Sequence, residues 1–108
     1  MNGEERREQI EKAAALFKVL SNEKRLSIVC ALLDGPRTVG DIAEHVPGIS
    51  LPGISQHLSA LRAAGILSAE KHGQYVVYAL SDKRISTLLE TVRREFCEEG
   101  ADRSASEA

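Results

Sequence analysis

Apolar residues recur at intervals of three and four along the first two thirds of the chain, which is the spacing of amphipathic helices. The pattern predicts a first helix from about Glu4 to Leu20. Three more helices follow, each opened by an N-cap residue and closed by Gly or Pro: S-N-E-K-R-L-S-I-V-C-A-L-L-D-G-P, T-V-G-D-I-A-E-H-V-P-G and I-S-L-P-G-I-S-Q-H-L-S-A-L-R-A-A-G. The predicted caps are Ser21 or Asn22, Thr38 and Ser50. The predicted inward faces are Leu26, Val29, Cys30 and Leu33 in the second helix and Ile54, Leu58 and Leu61 in the fourth.

After the fourth helix, the spacing of apolar residues changes to the alternation that is typical of β-strands. I-L-S-A-E-K and Q-Y-V-V-Y-A-L are separated by His72-Gly73, which predicts a β-hairpin with a tight two-residue turn. A last helix follows, capped by Ser81 and carrying an apolar stripe of Ile85, Leu88, Leu89, Val92 and Phe96. The element order is α-α-α-α-β-β-α, a mainly helical fold with one hairpin. We expect a single domain over residues 1–97 and an acidic, disordered tail over residues 98–108.

Two short helices joined at a Pro-Gly turn, with a hairpin directly after the second, form the layout of a winged helix-turn-helix. The fourth helix would then lie in the major groove of DNA, and the hairpin would reach the adjoining backbone. Short hydrogen-bonding groups near the start of a helix suit that task, because they can meet phosphates and base edges. The candidate contacts are Ser50, Ser55, Gln56 and His57 in the helix, with Arg62, Lys71, His72 and Gln74 at its flanks. Winged helices also serve as protein-interaction modules, so the layout alone leaves that function open.

The charge of the chain neither demands nor excludes an anionic partner. The chain has 108 residues, two cysteines and a formal net charge of −2. Residues 13–94 hold ten basic and seven acidic groups, a net charge of +3, whereas the acidic excess lies at the two ends. No apolar run approaches the length of a membrane span, and the charged N-terminus lacks the apolar core of a secretion signal. We therefore expect a cytoplasmic protein whose cysteines rest as thiols.

Three stretches carry a resemblance to a known family: L-S-N-E-K-R-L-S-I, I-S-L-P-G-I-S-Q-H-L-S-A-L-R-A-A-G-I-L and G-Q-Y-V-V-Y-A-L. Together they resemble the ArsR family of bacterial dimeric winged-helix repressors, over about residues 10–97. The resemblance implies a homodimer that pairs through its first and last helices and binds near-palindromic double-stranded operator DNA. It also implies recognition-helix contacts from Ser50, Leu51, Gly53, Ser55, Gln56 and His57, with Arg62 on backbone phosphate. The segment V-P-G-I-S is one residue longer than usual because of Pro47, a departure that bears on the angle of the recognition helix.

Members of this family differ in the signal that they sense. By the same resemblance, metal-sensing members carry cysteines in the third helix or acid-and-imidazole clusters on the last helix. Here R-T-V-G-D-I-A-E-H has no cysteine, and the segment from Ser81 to Cys97 has no histidine. The three histidines, His45, His57 and His72, fall on different elements at no metal-ligand spacing. We therefore expect no metal site of these kinds and no cofactor.

The two cysteines are the remaining sensor candidates, Cys30 in S-I-V-C-A-L-L and Cys97 in R-R-E-F-C-E-E-G. These contexts resemble the dithiol subgroup that senses persulfides and polysulfides, in which the two cysteines of one protomer come together. The resemblance implies that a crosslink between Cys30 and Cys97 releases operator DNA. Taken alone, Cys30 would be a small core residue, and the charges around Cys97 act on its thiolate in opposite directions. Peroxide or an electrophile acting on the pair, or a thiophilic metal, is an alternative inducer.

The sequence holds no set of nucleophile, base and orienting group, and no phosphate-binding loop. Ser55 and His57 are neighbours on the surface of the predicted recognition helix. We therefore expect a regulator without catalytic residues, and not an enzyme.

Overall fold

Five α-helices and a three-stranded antiparallel sheet make up the fold in a computed structural model that describes residues 1–97. The helices are α1 (Gly3–Leu20), α2 (Glu23–Ala31), α3 (Val39–His45), α4 (Leu51–Ala63) and α5 (Lys83–Val92). The strands are β1 (Arg37–Thr38), β2 (Leu67–His72) and β3 (Tyr75–Leu80). A 3₁₀ turn, Leu32–Asp34, extends α2, and a π-helical turn, Arg93–Cys97, extends α5. The predicted order is observed with one additional strand, and the predicted tail at 98–108 lies outside the described residues.

Side-chain caps fix where the second and third helices begin. Asn22 Oδ1 accepts a hydrogen bond from the Arg25 amide at 3.0 Å, and Thr38 Oγ1 accepts one from the Asp41 amide at 3.2 Å. Each cap satisfies an amide that has no partner inside its own helix. The predictions at Asn22 and Thr38 are confirmed.

The predicted cap of the last helix is wrong. Asp82 caps α5, because its Oδ1 accepts from the Arg84 amide at 2.7 Å. Ser81 instead donates its amide to the Ile66 carbonyl at 2.9 Å and its hydroxyl to the Gly65 carbonyl. Since both donors of Ser81 serve the connection between α4 and the sheet, the cap falls to the next residue.

The hairpin turn lies one residue further along the chain than the predicted His72-Gly73. His72 pairs with Tyr75, so Gly73 and Gln74 form the two-residue loop. Gly73 has a φ of +64°, and Gln74 is not among residues with positive φ. Glycine at the first loop position is what a type II′ turn requires, and this turn matches the right-handed twist of the strands.

A short strand that the sequence pattern does not predict completes the sheet. β1 pairs with β3, with Arg37 opposite Tyr78 and Thr38 opposite Val77, and the strand order is β1-β3-β2. Two residues are too few to show the alternation that marks a strand. Because Thr38 both ends β1 and caps α3, the sheet is joined directly to the helix-turn-helix.

The core is built from thirteen buried hydrophobic residues, and the described part of the chain contains no buried polar residue. From α4 come Ile54, Leu58 and Leu61, each exposed by at most 1 %. The predicted inward face of this helix is therefore confirmed. No aromatic side chain belongs to this core, so branched aliphatic residues fill it.

The buried face of α2 differs from the predicted stripe. Val29 is fully buried as expected, but Leu26, Cys30 and Leu33 are only half-buried. Ile28, which the stripe omits, is fully buried. Because α2 packs against α1, α3, α4 and α5, its buried surface is wider than one helical stripe and includes Ile28.

α1 is largely exposed in a single chain. Of its eighteen residues only Leu20 is buried, while Ile10 and Phe17 are 60 % and 57 % exposed. Phe96, beyond α5, is 74 % exposed. A groove of about 360 Å³ runs between these helices, lined mainly by apolar side chains such as Phe17 and Val92. Exposed apolar surface of this kind marks an interface with a partner.

Within residues 1–97, none of the helices combines the length and the hydropathy needed to cross a membrane.

The Asp82 cap predicts how stability depends on pH. Hydrogen bonds from the Arg84 side chain, and then from its amide, hold the pKa of Asp82 below its ordinary value. Such a carboxylate stabilises the fold above its unfolded pKa of about 3.9, and the contribution is lost as pH falls through the lower folded value. Asn still caps a helix but does not titrate. Between about pH 5 and pH 3, we expect the urea midpoint to fall more steeply in the wild type than in Asp82→Asn. An equal fall of the urea midpoint with pH in the two proteins would contradict Asp82 as the titrating cap.

Candidate nucleic-acid interface and dithiol

α3 and α4 form a helix-turn-helix whose geometry depends on buried isoleucines. Ile42 of α3 and Ile54 of α4 are fully buried, and the two helices pack against each other. The connection over residues 46–50 turns at Gly48, whose φ of +88° favours glycine. Val46 is also buried. The inner faces of both helices are thereby fixed, and the outer face of α4 is left to solvent.

The outer face of α4 is polar and accessible. Ser55, Gln56 and Arg62 are exposed, and Leu51 at the first helical position is 55 % exposed. These predicted contacts lie on one helix of thirteen residues. The arrangement can offer hydrogen-bond donors and acceptors to the edges of bases and to phosphates.

Ser50 and Gly53 build the start of this helix. Ser50 Oγ accepts from the Gly53 amide at 3.2 Å, and Pro52 in the first turn removes no hydrogen bond that the helix could make. A Cβ atom on Gly53 would lie 2.9 Å from Ile49 Cγ2 and 3.3 Å from Ser50 Oγ. Glycine at this position therefore has a packing role that the sequence does not reveal.

His57 is half-buried, unlike the other polar side chains predicted to contact DNA from α4. Arg25 Nε donates to His57 Nδ1 at 3.4 Å, and Arg25 Nη1 donates to the Val19 carbonyl at 3.4 Å. The sequence does not single out Arg25, because no local spacing relates two residues that are 32 positions apart. The Nδ1 edge of the His57 ring is thus turned towards the protein.

The wing presents Lys71, His72 and Gln74 as exposed residues around its tip. His72 Nε2 contacts Glu70 Oε1, which holds the imidazole on the surface of the hairpin. Tyr75, opposite His72, is 61 % exposed, an aromatic side chain that is not among the residues predicted to contact DNA. The available signal was its place directly after the two-residue turn.

Cys30 lies half-buried in the last turn of α2, a helix that packs against α5. Leu26 lines the groove along α5, and the Asp34 carboxylate is 3.5 Å from Arg93 Nη1. Leu26 and Cys30 are four residues apart in α2 and so lie on one face of that helix, and Asp34 ends the 3₁₀ turn that follows. Cys97 is the last residue of the π-helical turn that begins at Arg93.

The histidines are held apart from one another. His45 Nδ1 lies 2.8 Å from the Asp41 carbonyl, while His57 meets Arg25 and His72 meets the wing. No group of three or more His, Cys, Asp or Glu side chains within the described residues is arranged to hold a metal ion.

Comparison with known proteins decides the family. The family described as "Bacterial regulatory protein, arsR family" matches residues 22–69. The transcriptional activator HlyU of Vibrio cholerae is 36% identical over 98 residues, which cover 91% of this chain and 90% of HlyU. The chain belongs to the arsR family of bacterial regulatory proteins. An ArsR-family chain is a DNA-binding transcriptional regulator and not an enzyme, as the sequence predicts.

Solved structures of similar proteins share the fold of this ArsR-family chain. Reduced HlyU from V. cholerae has a TM-score of 0.80 at 35% identity, covering 87% of this chain and 98% of that one. The transcriptional repressor BigR from Xylella fastidiosa has a TM-score of 0.78 at 30% identity, covering 92% and 100%. A third structure, Mb0332 from Mycobacterium bovis, is described as a homodimeric winged helix-turn-helix DNA-binding domain and has a TM-score of 0.78 at 25% identity, covering 99% and 94%. The predicted winged helix-turn-helix is confirmed.

The Ser50 cap can be tested by replacement with alanine. Ser50→Ala removes the acceptor of the Gly53 amide, and loss of an N-cap costs about 1 kcal/mol. We expect the free energy of unfolding, measured by urea denaturation and circular dichroism, to fall by about that amount. Ser59→Ala is the matched control, because Ser59 is exposed in the middle of the same helix, where alanine is the better helix former. A loss as large in the control would refute the assigned cap.

Proposed function

We propose that this ArsR-family protein is a homodimeric transcriptional repressor of the bacterial cytoplasm, which binds near-palindromic operator DNA. A sulfur-containing crosslink between Cys30 and Cys97, formed by a persulfide or polysulfide, would release it. One observation carries the DNA-binding part: the buried inner face of α4 fixes a capped helix whose outer face is polar and accessible. The proposal that the protein represses transcription rests on its similarity to the biofilm growth-associated repressor of X. fastidiosa. That protein is 31% identical over 97 residues, which cover 90% of this chain and 84% of the repressor.

α4 is the element proposed to enter the major groove. Thirteen residues give a helix about 20 Å long, enough to lie across a groove about 12 Å wide. Ser55 and Gln56 would meet base edges, and Arg62 near the end of the helix would meet backbone phosphate. Lys71 and Gln74 on the wing would reach the adjoining backbone. The remaining proposed contacts are Ser50, Leu51, Gly53, His57 and His72.

A homodimer would cover the apolar surface that α1 and the last helix leave exposed. Ile10, Phe17 and Phe96 are each more than half exposed, and the groove between the helices is mainly apolar. A second copy related by a two-fold axis brings the same surface to meet itself, and the M. bovis structure is described as homodimeric. Two-fold symmetry then sets the two α4 helices at half-sites about 34 Å apart, or a multiple of that distance.

Arg62→Ala tests the docking of α4. Operator fragments are selected from a random DNA pool with the wild-type protein, and affinity is then measured against salt. Each lost phosphate contact makes the slope of log K against log salt shallower by about one, so we expect a change of about two per dimer. An unchanged slope would contradict the docking.

Arg7→Ala is the matched control for this experiment. Arg7 is exposed on α1 and pairs with Glu4, so its loss removes the same charge away from α4. An equal change in the control would assign the effect to net charge. Absence of any salt-dependent DNA binding by the wild type would favour the alternative, a winged-helix module that binds protein.

The proposed sensor joins α2 to the last helical turn. Cys30 lies four residues before Asp34, and the Asp34 carboxylate lies 3.5 Å from Arg93 Nη1. Cys97 follows Arg93 by four residues in the π-helical turn. A half-exposed ion pair adds little stability, but a contact between the 3₁₀ turn after Cys30 and the turn that carries Cys97 supports the proposed pair. One solved structure of the similar protein HlyU is described as reduced.

A polysulfide donor supplies both the inserted sulfur atom and the oxidising equivalents that the crosslink requires. The Cys97 thiolate attacks the central sulfur of R–S–S–S–R, forms Sγ–S–S–R and expels R–S⁻. The Cys30 thiolate attacks the transferred sulfur, expels a second R–S⁻ and leaves a trisulfide between the two Sγ atoms. Two cysteine thiols are oxidised, the donor is reduced to two thiols, and the cysteine protons pass to these products. Peroxide would leave a direct Sγ–Sγ bond, which requires Cα atoms about 4.4–6.8 Å apart, whereas an inserted sulfur spans a wider gap.

The crosslink would act on DNA binding through the arrangement of the helices. It fixes α2 to the last helix, which is part of the proposed dimer interface, and α2 in turn packs against α4. A dimer that binds two half-sites depends on the spacing of its recognition helices. A change in that spacing lowers the affinity for the operator, and transcription resumes.

The cysteine pair is tested by treating the reduced protein with an organic trisulfide. We expect peptide mapping to find Cys30 joined to Cys97 with one added sulfur, and we expect operator DNA to be released. Cys30→Ser and Cys97→Ser should bind the operator as the wild type does and stay bound after treatment, because one thiol cannot close the link. Full release of the operator by the treated Cys30→Ser protein would overturn the pair.

Parallel treatments distinguish the alternative inducers. A plain disulfide from peroxide, with equal release of DNA, would make the protein a general oxidant sensor. A stable adduct on one cysteine would identify an electrophile sensor. Release by zinc or copper alone would identify a thiophilic metal, held by the thiols with a further ligand.

A further inference from the structure

Arg25 is the residue of α2 that reaches the recognition helix. Its Nε donates to His57 Nδ1, and its Nη1 donates to the Val19 carbonyl, both at 3.4 Å. The Asn22 cap on the Arg25 amide holds the residue in the first turn of α2. One half-buried guanidinium thereby joins the end of α1, the start of α2 and the middle of α4.

The chemistry of this contact dictates where the His57 ring carries its proton. Arginine has donors and no acceptor, so the Nδ1 atom that faces it must accept. The proton of the neutral ring therefore lies on Nε2. An imidazolium would lose this hydrogen bond and set two cations side by side. With Nδ1 held by the protein, Nε2–H is the group that His57 can offer to a phosphate or base acceptor.

We propose that Arg25 is a positioning residue for DNA recognition, which fixes the tautomer and the ring orientation of His57 and ties α4 to α1 and α2. The role of Arg25 in DNA binding rests on the proposed docking of α4, whereas the assigned tautomer of His57 does not depend on that docking. α1 belongs to the proposed dimer interface and α2 carries Cys30. The guanidinium is therefore one point, beside the packing of α2 on α4, at which a displacement of either helix reaches the recognition helix directly.

The first test is the ¹⁵N–¹H correlation spectrum of the histidine rings in the free, reduced protein at about pH 7.5. We expect the Nε2–H tautomer for His57 in the wild type and a mixture of tautomers in Arg25→Gln. In Arg37→Gln the His57 signal should be unchanged, because Arg37 donates to the Ala31 carbonyl and not to α4. An Nδ1–H signal for wild-type His57 would overturn the proposal whether or not the protein binds DNA.

The second test is a double-mutant cycle on the selected operator. Loss of a hydrogen bond from a charged donor predicts that Arg25→Gln weakens binding about tenfold. If Arg25 acts through His57, the variant that combines Arg25→Gln with His57→Gln should bind no more weakly than His57→Gln alone. Losses that add would overturn the positioning role. Should Arg25→Gln fail to fold, Arg25→Lys replaces it in the cycle, because lysine keeps the charge but not the planar fork of donors.

Discussion

The inner face of α4 packs through Ile54, Leu58 and Leu61 into a core of aliphatic side chains, and this packing fixes every surface that the helix can offer to DNA. Truncating one such side chain costs about 2–5 kcal/mol, which is a large share of the roughly 5–15 kcal/mol that stabilises a small domain. Ser55, Gln56 and Arg62 on the outer face are exposed and add little to this packing. Stability and the orientation of the recognition helix therefore depend on the same contacts.

Features set by neighbours along the chain could be predicted from the sequence, and features set by distant groups could not. The Thr38 cap needs only its own helix, and so it was predictable. Ser81 has the same chemistry, but the carbonyls of Gly65 and Ile66 engage its donors, and the cap passes to Asp82. β1 is likewise a strand only because β3 lies beside it, and the wider buried face of α2 reflects four neighbouring helices.

The candidate interface divides in the same way. Helical spacing predicts that Ser55, Gln56 and Arg62 share the accessible surface of α4, and the structure shows them exposed. The contact of His57 with Arg25 spans 32 positions, so no spacing rule foresees it. This contact is a tertiary one, and it changes the role of His57 while leaving α4 unchanged.

The proposed sensor and the proposed positioning residue lie at opposite ends of α2. Arg25 in its first turn meets α4, and Cys30 in its last turn is one helical turn from Asp34, which meets the last helix. The helix has nine residues and is about 14 Å long, and its hydrogen-bonded backbone makes it stiff over that length. The proposed crosslink, by pulling one end of α2 towards the last helix, would therefore shift or rotate the helix as a unit. That movement would reach α4 both through the packing of α2 against α4 and through the Arg25 guanidinium, which also holds the end of α1, and it would disturb the His57 ring.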